Sequence, residues 1–316
     1  MPRRSTDSAT GDGIPAIVVS HLRREVEVAV LGTDDSVRVR CFQRSSALAV
    51  VTGDEVLIER ESEDPGRGVI TAVMPRRNVL RRRNRSGVVQ EICANLDLLL
   101  VTIAPEPEPH ADLIDRYLVA AHGDDIEAGL IVNKCDLAAA DAPPCASLAQ
   151  LYTGLGLPVI RASATTGAGL AGLRAFIGRR TAALVGQSGV GKSSLINALL
   201  PQARAAVGTL SGKRNRGHGR GRHTTSTVRL YPLADGLIID SPGIRELTPE
   251  LEDPTELIAS FPEIAAAATG CRFRNCSHER EPGCAVKEAL AQGAIDPRRW
   301  RSFRILSGEI IGAARP

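Results

Sequence analysis

The sequence predicts a multi-domain α/β protein in three parts: an amino-terminal β-barrel, a central domain with a mainly parallel sheet, and a carboxyl-terminal helical domain built around a metal. Three observations predict it. Five short strand-like runs fill residues 14 to 75, apolar strands alternate with helical spacing through the middle of the chain, and Cys271, Cys276, His278 and Cys284 cluster near its end. At 316 residues and 43% hydrophobic content the chain can bury two or three cores. No apolar stretch approaches the roughly 18 residues of a membrane span, and Met1-Pro2-Arg3-Arg4-Ser5 lacks an apolar signal region. The expectation is a soluble, cytoplasmic protein that makes no membrane contact. Seven cysteines, most of them inside apparent strands and helices, do not read as a secreted disulfide framework.

Residues 1 to 13 are small and polar and read as a disordered tail. Strands are expected at 16–20, 25–31, 37–42, 55–59 and 68–73; Val26-Glu27-Val28 and Val37-Arg38-Val39-Arg40 alternate, and Gly32-Thr33-Asp34-Asp35 supplies a hairpin turn. Five short strands over residues 14–75 fit an OB fold. Phe42 is the only aromatic residue there, so contact with folded RNA or protein is expected ahead of stacking on single-stranded bases. Residues 76–87 read as a basic linker, because Arg76 to Arg85 includes six arginines and no acid. A second acid-free basic run, Ser211 to His223, carries Lys213, Arg214, Arg216, Arg220 and Arg222. Against a net charge of only +3, such concentration suggests a phosphate backbone as partner. The central domain is expected over 88–250, with a buried strand at 96–103 and a helix at 111–122, and the helical domain over 251–316.

The central domain carries the chemistry. Gly186-Gln187-Ser188-Gly189-Val190-Gly191-Lys192-Ser193 spells GxxxxGKS between an apolar strand and helical spacing that begins at Ser194. Three glycines let consecutive backbone N–H groups curl around a β-phosphate, and the positive end of the helix adds field of the same sign. Lys192 would reach the β- and γ-phosphates, and Ser193 would ligate Mg²⁺. Only four residues of the chain are lysines, and two of them, Lys134 and Lys192, fall in such motifs. A compact ammonium fits where a planar guanidinium would not.

Upstream, the strand 128–132 ends in Asn133-Lys134-Cys135-Asp136. Asp136 can accept two hydrogen bonds from guanine N1–H and its exocyclic amine, whereas adenine would leave the carboxylate unpaired. A strand at 158–160 leads into Ser163-Ala164-Thr165-Thr166-Gly167, whose backbone can back the guanine. Downstream, Asp240-Ser241-Pro242-Gly243 closes a strand as a DxxG element: Asp240 would hold Mg²⁺ through water and the Gly243 N–H would touch the γ-phosphate. Between them, residues 221–226 offer a threonine for Mg²⁺, with Thr225 taken ahead of Thr224. The elements thus run base, base, phosphate, magnesium threonine, switch aspartate, while ordinary GTPases place the last three first. A parallel sheet binds ligand at its strand ends, so a circular permutation leaves the site intact.

On NKCD, SATTG, GQSGVGKSSLIN, GRGRHTT, DSPG and CRFRNCSHEREPGCAV, the chain from about residue 14 to 310 resembles the circularly permuted, ribosome-small-subunit-dependent GTPases of family A. The resemblance implies an OB barrel, a permuted P-loop GTPase domain and a zinc-containing helical domain. It also implies GTP hydrolysis to GDP and phosphate, and a role in late maturation of the 30S subunit, with 16S rRNA as partner to a monomer.

Three thiolates and an imidazole spaced Cx4CxHx5C suit a closed, structural tetrahedral Zn²⁺, the alternative being buried unligated thiols. Helices at 284–292 and 297–309 would pack on it, Arg298, Arg299, Arg301 and Arg304 could face rRNA, and Trp300 and Phe303 read as core. Ile244 stands after the DxxG where many GTPases place a water-orienting glutamine, so intrinsic hydrolysis is expected to be slow. His223 is the nearest group to orient the attacking water, as the resemblance also suggests; a purely structural loop histidine is the other reading. The competing function is a nucleotide-gated rRNA-binding assembly factor in which hydrolysis is not essential, and an adenine-specific P-loop enzyme is opposed by Asp136. Glu246-Leu247-Thr248-Pro249 would link Gly243 to the metal domain.

Overall fold

In the computed structural model the described residues are 13–22, 25–32, 37–43, 49–83, 88–200, 228–233, 235–240 and 254–313. Strands β1 (Ile14–Leu22), β2 (Glu25–Val30), β3 (Arg38–Gln43), β4 (Glu55–Arg60) and β5 (Arg67–Val73) follow the order β1-β2-β3-β5-β4, and β4 returns to pair with β1. That return closes the sheet into a barrel. Period-two alternation puts Val26, Val28 and Val30 of β2 inside with Val39, Cys41, Val56, Ile58 and Ile70. The paired strands β2 and β3 bracket the expected hairpin turn, of which residues 33–35 lie outside the described ones.

The stretch expected as a basic linker contains a strand. Strand β6 (Val79–Arg83) pairs antiparallel with β7 (Val89–Ala94), and the arginines before it are structural ties. Arg76 bridges buried Asp54 at 2.7 Å and Glu91 at 2.7 Å. Arg77 pairs with Asp97, and Asn78 exchanges two hydrogen bonds with the Leu96 backbone. Local charge counting missed this because the acids that meet the run, Asp54, Glu91, Asp97 and, for Arg81, Asp124, all lie outside it.

Central strands β8 (Leu98–Ile103), β9 (Glu127–Val132), β10 (Val159–Arg161), β11 (Thr181–Val185), β12 (Arg229–Leu233) and β13 (Gly236–Asp240) align as β10-β9-β8-β11-β13-β12, parallel except for β12. All of β8, LLLVTI, is buried, as expected for a strand covered on both faces. Leu99, Val101 and Ile103 pack towards α1 (Ala111–Gly123) and α2 (Cys145–Gly154). Leu98 and Leu100 pack towards α3 (Leu170–Ile177) and α4 (Lys192–Leu199). Chain order reverses between β8 and β11, which creates the crevice at their carboxyl ends where such sheets bind ligands.

The carboxyl-terminal lobe comprises α5 (Pro254–Ala259), α6 (Pro262–Ala268), α7 (Ala285–Ala291) and α8 (Pro297–Ala313). Its core gathers Leu257, Phe261, Ile264, Val286, Phe303 and Leu306, joined by Val119 of α1, with Trp300 stacked on Phe303. Arg299 does not face outward as the sequence suggested. It is 2% exposed, bonded to Asp115 of α1 at 2.5 Å and to Glu263 of α6 at 2.6 Å, and stacked 4.2 Å from the Phe261 ring. Arg298 and Arg304 are also engaged, by Asp296 and Glu279. Arg299 shares one helical stripe with Phe303, Leu306 and Ile310, so the pattern placed it inside although its charge argued otherwise. Among the described residues no helix is long and apolar enough to cross a membrane.

Candidate guanine-nucleotide site and metal centre

The phosphate loop leaves fully buried β11 and enters α4. Its backbone requires glycine at two contacts. Gly186 has φ +135 and lies against the Thr102 carbonyl of β8, and Gly191 has φ +92 and lies against the Asn133 side-chain amide; a β-carbon at either would collide. Lys192 Nζ donates to the carbonyls of Gly186 at 2.5 Å and Gln187 at 2.7 Å, which folds the ammonium back over the loop mouth. Ser188, Gly189, Ser193 and Ser194 are exposed, and Val190 is buried.

The loop after β9 is tied to this one. Asn133, 2% exposed, donates from Nδ2 to the Val190 carbonyl at 2.8 Å. Lys134, at φ +58, reaches the Glu106 carbonyl at 2.7 Å. The Cys135 N–H binds the Ala162 carbonyl at 3.1 Å, joining the loops after β9 and β10. There the Ser163 hydroxyl accepts the N–H groups of Thr165 and Thr166 at 3.3 and 3.1 Å, holding Ala164 at the turn. Asp136 is exposed at the rim. Asp240 ends β13, which is hydrogen-bonded directly to β11. The structure thus brings Asn133, Lys134, Cys135, Asp136, Ser163, Ala164, residues 186–194 and Asp240 to one edge of one sheet. His223, Thr224, Thr225, Gly243 and the basic run 211–223 lie outside the described residues. So does the 246–249 link. Sequence reading missed the Glu106 carbonyl and Thr102, because a backbone group leaves no signature in residue type.

In the carboxyl-terminal lobe, the ligand atoms of Cys271, Cys276, His278 and Cys284 lie within 4.8 Å of one another. Cys271 Sγ is 3.5 Å from His278 Nδ1 and 3.9 Å from Cys284 Sγ, and Cys284 Sγ is 3.6 Å from the same nitrogen. A tetrahedron with legs of about 2.3 Å to sulfur and 2.0 Å to nitrogen has edges of about 3.5 to 3.8 Å, so the donor set fits one Zn²⁺. Burial lowers the His278 pKa against the opposing field of Glu281, which favours the neutral, ligating imidazole. Glu281 escaped the sequence reading. Its carboxylate accepts from Ser277 N–H (3.0 Å), Ser277 Oγ (2.7 Å), Glu279 N–H (3.2 Å) and Arg280 N–H (3.1 Å). These bonds, led by that of the Ser277 hydroxyl, hold its pKa down to about 2. Glu279 is an acid of the same loop and Arg280 stands between the two, so residue type alone does not single Glu281 out.

A family profile described as RsgA GTPase matches residues 73–250. Curated relatives named small ribosomal subunit biogenesis GTPase RsgA, from Pseudomonas fluorescens and Pseudomonas syringae pv. tomato, are each 42% identical over 291 residues, spanning 91% of this chain and 83% of theirs. Among solved structures, YjeQ from Thermotoga maritima matches with a TM-score of 0.73 at 30% identity, over 95% of this chain and 99% of that one. YloQ, described as a circularly permuted GTPase, matches with a TM-score of 0.72 at 25% identity, over 99% of each chain. With an amino-terminal barrel, a guanine-type loop that precedes its phosphate loop in the chain, and these relatives, the protein is a circularly permuted GTPase and belongs to the RsgA GTPase family.

Proposed function

We propose that this GTPase acts in late maturation of the 30S subunit: it binds GTP with Mg²⁺ at the carboxyl edge of the central sheet, engages 16S rRNA as a cytoplasmic monomer, and hydrolyses the γ-phosphate faster when engaged. The observation that carries the reading is the bond from Asn133 to the Val190 carbonyl. It fastens the base-reading loop to the phosphate loop although 57 residues separate them, so one nucleotide spans both.

In this reading Asp136 takes the guanine N1–H and amine, and Ser163 and Ala164 close the base pocket. The N–H groups of residues 186–194 cradle the phosphates, and Lys192 leaves its loop carbonyls for the β- and γ-oxygens. Ser193, Thr225 and, through water, Asp240 hold Mg²⁺, which neutralises charge between the phosphates. Gly243 reports the γ-phosphate, and His223 orients the attacking water. The metal lobe holds one structural Zn²⁺ on Cys271, Cys276, His278 and Cys284.

The relatives' name supports the ribosomal partner, and so does the metal knuckle. Arg272, Arg274 and Arg280 are exposed there and pair with no acid among the described residues, and Phe273 is exposed 5.5 Å from the Arg272 guanidinium. The test is GTP turnover with and without purified 30S subunits at roughly 50 and 200 mM salt, where phosphate contacts make binding fall steeply. No stimulation at either salt would remove the ribosomal part of the reading. Ile244, in place of a water-orienting glutamine, favours one second reading: nucleotide state gates rRNA binding and hydrolysis is dispensable. A Ser193→Ala protein that still supported maturation would decide for it.

A further inference from the structure

Among the described residues, the barrel meets the nucleotide edge of the central domain at the start of β12. Strand β12 is the outermost strand of the GTPase sheet, and its first residue, Arg229, bridges to Ser20 of barrel strand β1. Arg229 Nη2 is 2.8 Å from Glu27 Oε2 of β2, with the two side chains 32% and 18% exposed. The same carboxylate oxygen accepts the Ser20 hydroxyl at 3.0 Å. One residue earlier, the Val228 carbonyl accepts from Thr52 Oγ1 at 3.3 Å. On its other side Arg229 is the ladder partner of Asp240, the residue at which β13 opens into the site.

We propose that Glu27 is a positioning residue for GTP hydrolysis: by clamping Arg229 it fixes the register of β12 against β13 and thereby the placement of Asp240 towards Mg²⁺. The inference rests on the reading of Asp240 as a magnesium-side residue. A strand end held by backbone bonds alone frays or slips, and a one-residue slip turns every side chain to the other face. Two barrel side chains, Glu27 and Thr52, bond residues 229 and 228, and the Ser20 hydroxyl braces Glu27. The barrel is thus a structural determinant of the hydrolytic edge, and a ligand that shifted the barrel would be felt there. The guanine loops and the phosphate loop hang on β9, β10 and β11, which Glu27 does not touch, so base affinity is insulated from the clamp.

The test compares wild type, Glu27→Ala, Glu27→Gln, Arg229→Ala and the Glu27→Ala/Arg229→Ala double variant in steady-state GTP turnover at graded Mg²⁺, with GDP affinity and melting temperature measured alongside. Glu27→Ala is expected to lower kcat about tenfold, the scale of a sub-ångström misplacement, and to raise the Mg²⁺ midpoint. GDP affinity and KM should stay within about twofold, because base and β-phosphate contacts persist. Glu27→Gln keeps an acceptor for Arg229 and should recover most of the rate, and it carries the test if the alanine variant does not fold. The double variant should be no slower than Arg229→Ala alone, the mark of residues acting as a unit. Unchanged kcat and Mg²⁺ midpoint in folded Glu27 variants, or additive losses in the double variant, would overturn the clamp. An Asp240→Asn protein with wild-type magnesium dependence would instead remove the reading beneath it.

Discussion

The metal knuckle turns three backbone N–H groups inward on a tight loop, as the phosphate-loop motif is expected to do, and the two differ in where the anion comes from. In the knuckle the chain supplies it: the Glu281 carboxylate takes the N–H groups of Ser277, Glu279 and Arg280. Residues 186–194 include no acid of their own, and the ammonium of the motif, Lys192, donates to carbonyls of its own loop. A nest filled from within is a structural element, and one left for an outside anion is a binding site. A similar contrast separates the arginines. Arg76, Arg77 and Arg299 are consumed by acids of the fold, while Arg272, Arg274 and Arg280 are exposed and pair with no acid among the described residues.

The largest expected effect lies on the open side. Lys192→Ala should reduce phosphate release about 10²- to 10³-fold, as loss of one preorganised transition-state contact does; a drop under tenfold would mean that the loop does not hold the transferred phosphoryl group. Asp136→Asn should weaken GDP binding about 10- to 100-fold, the worth of a charge-assisted pair, with the melting temperature of the nucleotide-free protein unchanged. On the closed side, Arg299→Met should destabilise by about 3–5 kcal/mol by leaving Asp115 buried without its cation. Chemical denaturation measures this, and replacing Asp115 and Arg299 together by apolar residues should recover much of the loss.

The smallest effect is the sharpest discriminator of the two nests. Glu281 has a folded pKa depressed to about 2 from 4.5, so its contribution is complete above the ordinary carboxylate value and is lost as pH falls through the folded one. The gap in melting temperature between wild type and Glu281→Gln should stay flat from about pH 8 to 5 and shrink only below. A gap that varied across that upper window would mean that Glu281 is not the internal anion of the knuckle.

How much of this was legible in the sequence follows from the range of each interaction. The five barrel strands, the buried strand beginning at Leu98 and the helix beginning at Ala111 announce themselves through local periodicity, and the structure places them within two residues of expectation. The site residues were named because phosphate and guanine chemistry demand particular side chains at fixed spacing. What escaped depends on partners distant in the chain: Arg76 with Asp54, Arg299 with Asp115, Glu27 with Arg229 across 202 residues. A charge run cannot reveal its neutralising acids when folding supplies them. The family profile ends at residue 250, and Arg299 and the knuckle lie beyond it.

The most direct test of the central claim, that loops out of their usual chain order close on one guanine nucleotide, is calorimetric titration of the purified protein with GDP, GTP and ATP in Mg²⁺. The expected result is a single site of one-to-one stoichiometry for both guanine nucleotides, ATP weaker by about 10³-fold or more, and loss of the GDP heat in Gly191→Ala, whose β-carbon would meet Asn133. ATP binding as tight as GTP, or guanine nucleotides binding Gly191→Ala undiminished, would contradict it.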